Sequence, residues 1–317
     1  MRTHGRHRPN LRPTPEAMEG RLLLTTFGDF DGDARADIAV YRPNTGQWLI
    51  QRSSSGPRAV SFGQPGVDIP LQGDFDGDAR ADIAVYRPTT ATWYLQLSGG
   101  GSRAYNFGMP NVDIPVPGDY DGDGKTDLAV YRPTTGQWFL QRTTAGPEVV
   151  NFGGPDLDQP VGGDFDGDHA TDLALYRRST AEWLILGSAT GPRRFTFGQA
   201  GLDVPVPANY DGDSVTDLAV YRPTTAQWFI LRSTEGPEVI TFGQPGIDVP
   251  VPADYDGDGR DNVAVYRPTT AEWFVQASSG VRDFVFGQPG VDAPLPSPLA
   301  YRYGGRLRGA SVRGGGI

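Results

Sequence analysis

Cysteine is absent from the 317 residues, which excludes disulfides, thiolate metal sites and thiol nucleophiles together. Histidine is scarce, with only His4, His7 and His169. Lysine is scarcer, Lys125 being the single one among 28 basic residues. No apolar run approaches the roughly 20 residues that cross a bilayer, the densest being Leu22 to Leu24, so membrane insertion is not expected. Stretches free of both glycine and proline are short, because the chain holds 43 of one and 28 of the other, and this argues against long helices. What is present, 38% apolar residues with 11% aromatics, is enough to bury a core, and the turn residues divide it into short strands. The first 20 residues are basic and lack the apolar segment of a secretory signal, so no export signal is expected within them.

Internal repetition determines the architecture. The segments "GDFDGDARADIAVYRPNTGQWLI", "GDFDGDARADIAVYRPTTATWYL", "GDYDGDGKTDLAVYRPTTGQWFL", "GDFDGDHATDLALYRRSTAEWLI", "ANYDGDSVTDLAVYRPTTAQWFI" and "ADYDGDGRDNVAVYRPTTAEWFV" place acidic loops at positions 29, 74, 119, 164, 209 and 254, a period of 45 residues. Each period reads as a short first strand, the acidic loop, a strand such as Leu218 to Arg222, a turn, a Trp-led strand, a Gly-Pro turn and a strand ending near Phe242-Gly243. Four strands in 45 residues predict an all-β fold, a β-propeller of six four-stranded blades spanning residues 21–296. In "WFIL", Trp228 and Ile230 face one way and Phe229 and Leu231 the other, as a sheet covered on both faces requires. Residues 1–20 read as a basic disordered tail, and residues 297–317 as a C-terminal tail that could close the ring. The alternative is seven blades, with residues 288–317 and the N-terminal tail forming a degenerate closing blade. The tail arginines, sparse among Gly and Pro, do not predict nucleic-acid binding.

The loops carry the chemistry. Acidic residues recur at loop positions 1, 3, 5 and 9, a density of like charge that needs compensation. The sets are Asp29, Asp31, Asp33 and Asp37; Asp74, Asp76, Asp78 and Asp82; Asp119, Asp121, Asp123 and Asp127; and Asp164, Asp166, Asp168 and Asp172. The fifth set is Asn209, Asp211, Asp213 and Asp217, and the sixth is Asp254, Asp256, Asp258 and Asn262. A tight loop of oxygen donors suits a hard divalent cation, calcium ahead of magnesium, at about one per blade and up to six. A glycine at position 4, such as Gly32, permits the turn. The position 7 carbonyl, at Arg35, Arg80, Lys125, Ala170, Val215 and Arg260, is expected to face inward as a further ligand. Position 12, where an EF-hand needs glutamate, is Val40 or its equivalent, so these are not EF-hands. Asn209 and Asn262 mark two loops expected to bind more weakly. Six divalent ions would more than offset the formal net charge of -10.

The motif D-x-D-x-D with a fourth acid at position 9, together with the recurrent Phe-Gly of Phe62-Gly63, Phe107-Gly108, Phe152-Gly153, Phe197-Gly198, Phe242-Gly243 and Phe286-Gly287, resembles the FG-GAP/VCBS repeat family, which includes the propeller of integrin α subunits. The resemblance covers about residues 22 to 296. It implies a calcium-stiffened scaffold, commonly extracellular or at the cell surface, acting in adhesion or ligand binding.

The residues do not assemble an enzyme. A Ser-His-Asp triad would need His169, which sits inside the fourth loop. Paired carboxylates would have to be drawn from Asp68, Asp113, Asp158, Asp203 and Asp248, which recur before each first strand and read as turn pins. Glu182 and Glu272 read as surface substitutions. The expected function is a non-catalytic interaction or adhesion module with a protein or glycan ligand. A lectin-like propeller is the alternative, with Trp48, Trp93, Trp138, Trp183, Trp228 and Trp273 as stacking platforms, or else buried between blades. A polysaccharide hydrolase or lyase stands third. In each Tyr-Arg-Pro, the arginine is expected to pair with a loop carboxylate or carbonyl.

Overall fold

The computed structural model describes residues 28–295, so both tails lie outside the described residues. The strands, in chain order, are β1 (Ile38–Arg42), β2 (Gln47–Arg52), β3 (Gly56–Ser61), β4 (Ile69–Gly73), β5 (Asp82–Arg87), β6 (Thr92–Gln96), β7 (Ser102–Asn106), β8 (Ile114–Pro115), β9 (Leu128–Arg132), β10 (Gln137–Arg142), β11 (Gly146–Asn151) and β12 (Gln159–Val161). They continue as β13 (Leu173–Arg177), β14 (Glu182–Gly187), β15 (Gly191–Thr196), β16 (Val204–Pro205), β17 (Leu218–Arg222), β18 (Gln227–Arg232), β19 (Gly236–Thr241), β20 (Val249–Pro250), β21 (Val263–Arg267), β22 (Glu272–Ala277), β23 (Gly280–Val285) and β24 (Ala293–Leu295). They form six four-stranded antiparallel sheets, so the protein is a six-bladed β-propeller.

Burial follows position in the blade. The second strand is covered on both faces: Ala39, Val40 and Tyr41 of β1 are fully buried. The third alternates, with Trp48 and Ile50 buried and Leu49 partly covered, and the fourth is the outer edge. Proline at the second position of β3, β11, β15 and β19 withholds a backbone donor from that edge, which discourages sheet-to-sheet association.

Adjacent blades share each hydrophobic core. Tyr86, Trp93 and Leu95 of the second blade pack on Leu128 and Val130 of the third. The two-sided reading of "WFIL" holds: Trp228 and Ile230 pack toward the sixth blade, while Phe229 and Leu231 pack toward the fourth. Each tryptophan packs against a strand tyrosine, edge-on for Tyr41 and Trp48 at 5.5 Å and tilted for pairs such as Tyr221 and Trp228 at 5.1 Å, and Trp48 Nε1 donates to Phe62 O at 3.0 Å. With no exposure at any of the six tryptophans, stacking platforms for sugars are ruled out and burial between blades is correct. The Phe-Gly signature has its reason here: Gly63 sits at φ +120°, and a Cβ there would come within 2.8 Å of the Tyr41 hydroxyl.

The ring closes in the first blade. β24 pairs with β1 (Ala293 with Tyr41, Leu295 with Ala39), and a separate backbone bond joins Asp37 N to Gly28 O. Residues 293–295 therefore complete blade one, and no seventh sheet forms among the described residues.

The arginine of each Tyr-Arg-Pro, and Arg177 of the fourth blade's Tyr-Arg-Arg, pairs with the aspartate that precedes the first strand of its own blade, not with the acidic loop. Arg87 binds both oxygens of Asp68 at 2.8 and 2.9 Å, while Asp68 Oδ2 also accepts Gln64 N. Arg132 with Asp113, Arg177 with Asp158, Arg222 with Asp203 and Arg267 with Asp248 repeat the arrangement. The sixth pair is Arg42 with Asp292, an aspartate absent from the sequence-derived set, and it fastens the ring closure.

Candidate metal centre

Each acidic loop leads into the second strand of a blade, following the first strand directly in five blades and facing the β24 seam in blade one, and packs beneath the hairpin between the third and fourth. Backbone amides shape it first. Asp29 Oδ1 accepts Gly32 N at 2.7 Å, and Asp29 Oδ2 accepts Ala34 N at 2.8 Å, winding the loop about the position 1 carboxylate. Asp37, at position 9, ties it to its surroundings by accepting Phe30 N through Oδ2 and Ser53 N of the hairpin through Oδ1. Asp31, at position 3, reaches the same hairpin, accepting Ser54 N and Ser55 N at 3.1 and 2.7 Å through Oδ2.

The turn requires left-handed backbone twice. Position 4 is glycine throughout, as at Gly32 with φ +80°. Position 6 is left-handed as well, yet it is Ala34, Ala79, His169 and Ser214 in four loops and glycine in the other two. That strain, about 1–2 kcal/mol per residue, was not visible in the sequence, where attention falls on the invariant glycine.

Burial makes the loops electrostatically costly. Desolvation pushes Asp37 and Asp127 up to about 7, and Asp82, Asp172 and Asp217 up to about 6. It raises the position 1 group as well, at Asp29, Asp74, Asp119, Asp164 and Asp254. At Asp31 burial acts in the same direction, but hydrogen bonds from Ser54 and Ser55 outweigh it and hold the group below its ordinary value. A nearby positive charge would favour the ionised form of all of them.

The carboxylates converge. Oxygens of Asp29, Asp31 and Asp33 lie within 4.8 Å of one another, as do those of Asp74, Asp76 and Asp78 and of Asp254, Asp256 and Asp258. In the third and fourth loops the close trios are Asp119, Asp121 and Asp127, and Asp164, Asp166 and Asp172. Position 5 also accepts from the hairpin, Asp33 from Ser53, Asp78 from Ser98, Asp123 from Thr143 and Asp168 from Ser188. One feature is common to all six loops. The Oδ1 atoms of Asp31, Asp76, Asp121, Asp166, Asp211 and Asp256 are buried and have no hydrogen-bond partner. A buried, unpartnered carboxylate oxygen is expensive. Its recurrence at position 3, among all-oxygen donors, fits a hard cation.

The two irregular loops have structural reasons. In the sixth, the hairpin between β22 and β23 is one residue shorter, and Ser278 N donates to Asp256. Asn262 keeps the other contact, its Oδ1 accepting Tyr255 N at 2.9 Å, and the loop retains its acidic trio. In the fifth, Asn209 Oδ1 accepts Gly212 N as the usual aspartate does. Its backbone N–H donates to Asp261 Oδ2 of the sixth loop at 2.8 Å, where the preceding pair of loops uses Thr216 Oγ1 against Asp164 N. Asn209 and Asp261 are thus one paired departure: a carboxylate displaced to position 8 of one loop faces a neutral amide at position 1 of the loop before. His169 is exposed in its loop, its N–H donating to Asp164. His4 and His7 lie outside the described residues.

Away from the loops, a pocket of about 270 Å³ opens between the first two blades, lined by Phe62, Val85, Arg87 and Tyr94 among others. The Arg87 guanidinium stands 4.6 Å over the Tyr94 ring.

The fold is shared with structures of little sequence similarity. A lectin from Agrocybe aegerita, described as recognising non-reducing terminal N-acetylglucosamine, superposes with a TM-score of 0.56 at 13% identity, over 82% of this chain and 94% of the lectin. A streptogramin B lyase superposes with a TM-score of 0.54 at 7% identity, over 84% of each chain. The virginiamycin B lyase of Staphylococcus aureus gives 0.50 at 8% identity, over 80% of this chain and 85% of the lyase. No curated protein matches the sequence. The family model described as an FG-GAP-like repeat matches residues 74–130, from the second acidic loop through the strand after the third. With that repeat recurring in phase through six sheets, the chain is a β-propeller of FG-GAP-like repeats.

Proposed function

We propose that this propeller is a calcium-stiffened, non-catalytic interaction or adhesion module working outside the cell or at its surface. The observation that carries the metal reading is the row of six buried position 3 oxygens without partners. The side chains at positions 1, 3, 5 and 9, with the position 7 carbonyl, are the proposed ligands. In the first loop these are Asp29, Asp31, Asp33, Asp37 and the Arg35 carbonyl, and the equivalents serve in the others. The ion supplies positive charge to carboxylates that burial otherwise disfavours, and it fixes loops whose shape the hairpin alone holds only partly. Extracellular modules bind calcium at about 10⁻⁴–10⁻³ M, which suits a millimolar environment. The test is a thermal melt in calcium and in excess chelator. At about 1–4 kcal/mol per ion, several ions raise the midpoint by roughly 10 °C or more. Identical midpoints would remove the metal reading.

Glycan recognition is the second reading. It is supported by the pocket between blades, where arginine over an aromatic ring offers both polar and stacking contacts, and by the fold likeness to a lectin. A glycan array probed with and without chelator separates the two: direct sugar signals favour the lectin, and their absence favours a protein ligand.

A further inference from the structure

The six loops are joined head to tail by backbone hydrogen bonds. The N–H at position 8 of each loop donates to the position 1 carbonyl of the loop before it: Ala81 to Asp29 at 2.6 Å, Thr126 to Asp74 at 2.6 Å and Thr171 to Asp119 at 2.5 Å. Thr216 to Asp164 at 2.6 Å and Asp261 to Asn209 at 2.7 Å follow, and Ala36 to Asp254 at 2.7 Å closes the circle across the seam where the chain ends meet. Side chains reinforce the circle. A Cβ on Gly32 would come within 3.0 Å of Arg80 Cγ, and one on Gly257 within 2.9 Å of Arg35 Cγ, so the position 7 side chain of each of these following loops lies against the position 4 glycine of the one before.

The chemistry of the joined positions matters. Position 1 supplies a proposed ligand in one loop. Position 8 of the next stands between two more, the position 7 carbonyl and the position 9 carboxylate. A peptide fixed at Asp29 therefore holds Ala81, and with it Arg80 and Asp82, before any ion enters the second loop. Order paid for at one site lowers the ordering cost at its neighbour, and such a saving is by definition a coupling free energy between sites. Repulsion between ions and the heterogeneity introduced by Asn209 act the other way and would flatten a binding curve.

We propose that the six cation loops load as a coupled ring, each occupied loop pre-forming the ligand set of the loop hydrogen-bonded to it, so that calcium binding is positively cooperative. This rests on the metal reading above and concerns how its sites communicate. The Asn209–Asp261 junction keeps the backbone link while lacking the position 1 charge, so the relay continues through the fifth loop.

The test titrates the metal-stripped full chain with calcium by isothermal calorimetry, for the wild type and for the double variant Asp121→Asn/Asp123→Asn. That variant disables the third loop and leaves Asp119, Asp127 and their backbone links in place. Coupling predicts that the variant loses more than one site's worth of binding, with the adjoining loops weakened at least about fivefold. Five remaining sites at wild-type affinity would overturn the proposal. Should the variant not fold, the wild-type isotherm decides: a Hill coefficient above 1 supports coupling, and a value of 1 or below overturns it. A wild type that takes up no calcium refutes the metal reading itself, whereas full uptake at independent sites refutes the coupling alone.

Discussion

Each blade carries carboxylates at both ends of its second strand, and the two ends treat them differently. At the C-terminal end of β9, Asp113 is buried against Arg132, which binds both its oxygens at 2.7 and 2.8 Å. At the N-terminal end, Asp119, Asp121 and Asp127 crowd together, held by backbone amides, with one buried oxygen of Asp121 left without a partner. The first arrangement carries its countercharge within the chain. The second has no countercharge of its own at that oxygen, and on the proposed reading a cation supplies it. The contrast teaches that the presence of a buried aspartate says little by itself, since one end pairs it with arginine and the other leaves a carboxylate oxygen without a partner.

Breaking the self-sufficient end has the largest expected effect. Arg132→Ala leaves Asp113 buried without its partner and should cost about 3–5 kcal/mol, equally in calcium and in chelator, as read by urea midpoints under both conditions. A loss seen only with calcium would mean that the two ends are not separate. Breaking the dependent end should give the opposite signature. Asp31→Asn should cost roughly 1–4 kcal/mol more when calcium is present than in chelator, where only the hairpin hydrogen bonds that favour the ionised carboxylate are weakened. Equal losses in both conditions would point to a structural role for that carboxylate.

Two smaller changes sharpen the contrast. The double substitution Asn209→Asp/Asp261→Thr restores the regular pattern at the one irregular junction and should raise calcium-loaded stability by about 1 kcal/mol. Asn209→Asp alone, facing the buried Asp261 whose carboxyl desolvation pushes up to about 7, should be destabilising in chelator. A neutral double substitution would separate that pairing from cation binding. Ala34→Gly relieves the left-handed strain at loop position 6 and should add about 0.5 kcal/mol in both conditions, the gain limited by the extra freedom of glycine in the unfolded chain. A calcium-dependent change there would show that the position shapes the site and not merely the turn.

Much of the fold was legible because the sequence states it six times. The 45-residue spacing, the Trp-led strand and the paired faces of "WFIL" fix the blade and its two packed sides without knowledge of any contact. What periodicity cannot reveal is which copy of a residue meets which. The partner of Arg87 could be an acidic loop or Asp68 as far as spacing goes, and distinguishing them needs the direction of β4 against β5. For the same reason Asn209 and Asn262 read as two unrelated lapses, although Asp261, the residue before Asn262, faces Asn209 across neighbouring blades. The seam was ambiguous because residues after 288 follow the repeat only as far as its first strand. Asp292 answers Arg42, and Leu295 fills the buried place taken elsewhere by residues such as Leu71. At the site, the acidic positions were readable. The unpartnered oxygens and the left-handed position 6 were not, since both are consequences of loop geometry.

The most direct measurement of the central claim is native mass spectrometry of the protein in volatile buffer that itself holds millimolar calcium acetate. One bound calcium per blade, with the fifth the first to leave as free calcium is lowered, is the predicted result. A chain whose mass is that of the polypeptide alone, before and after chelation, would contradict it.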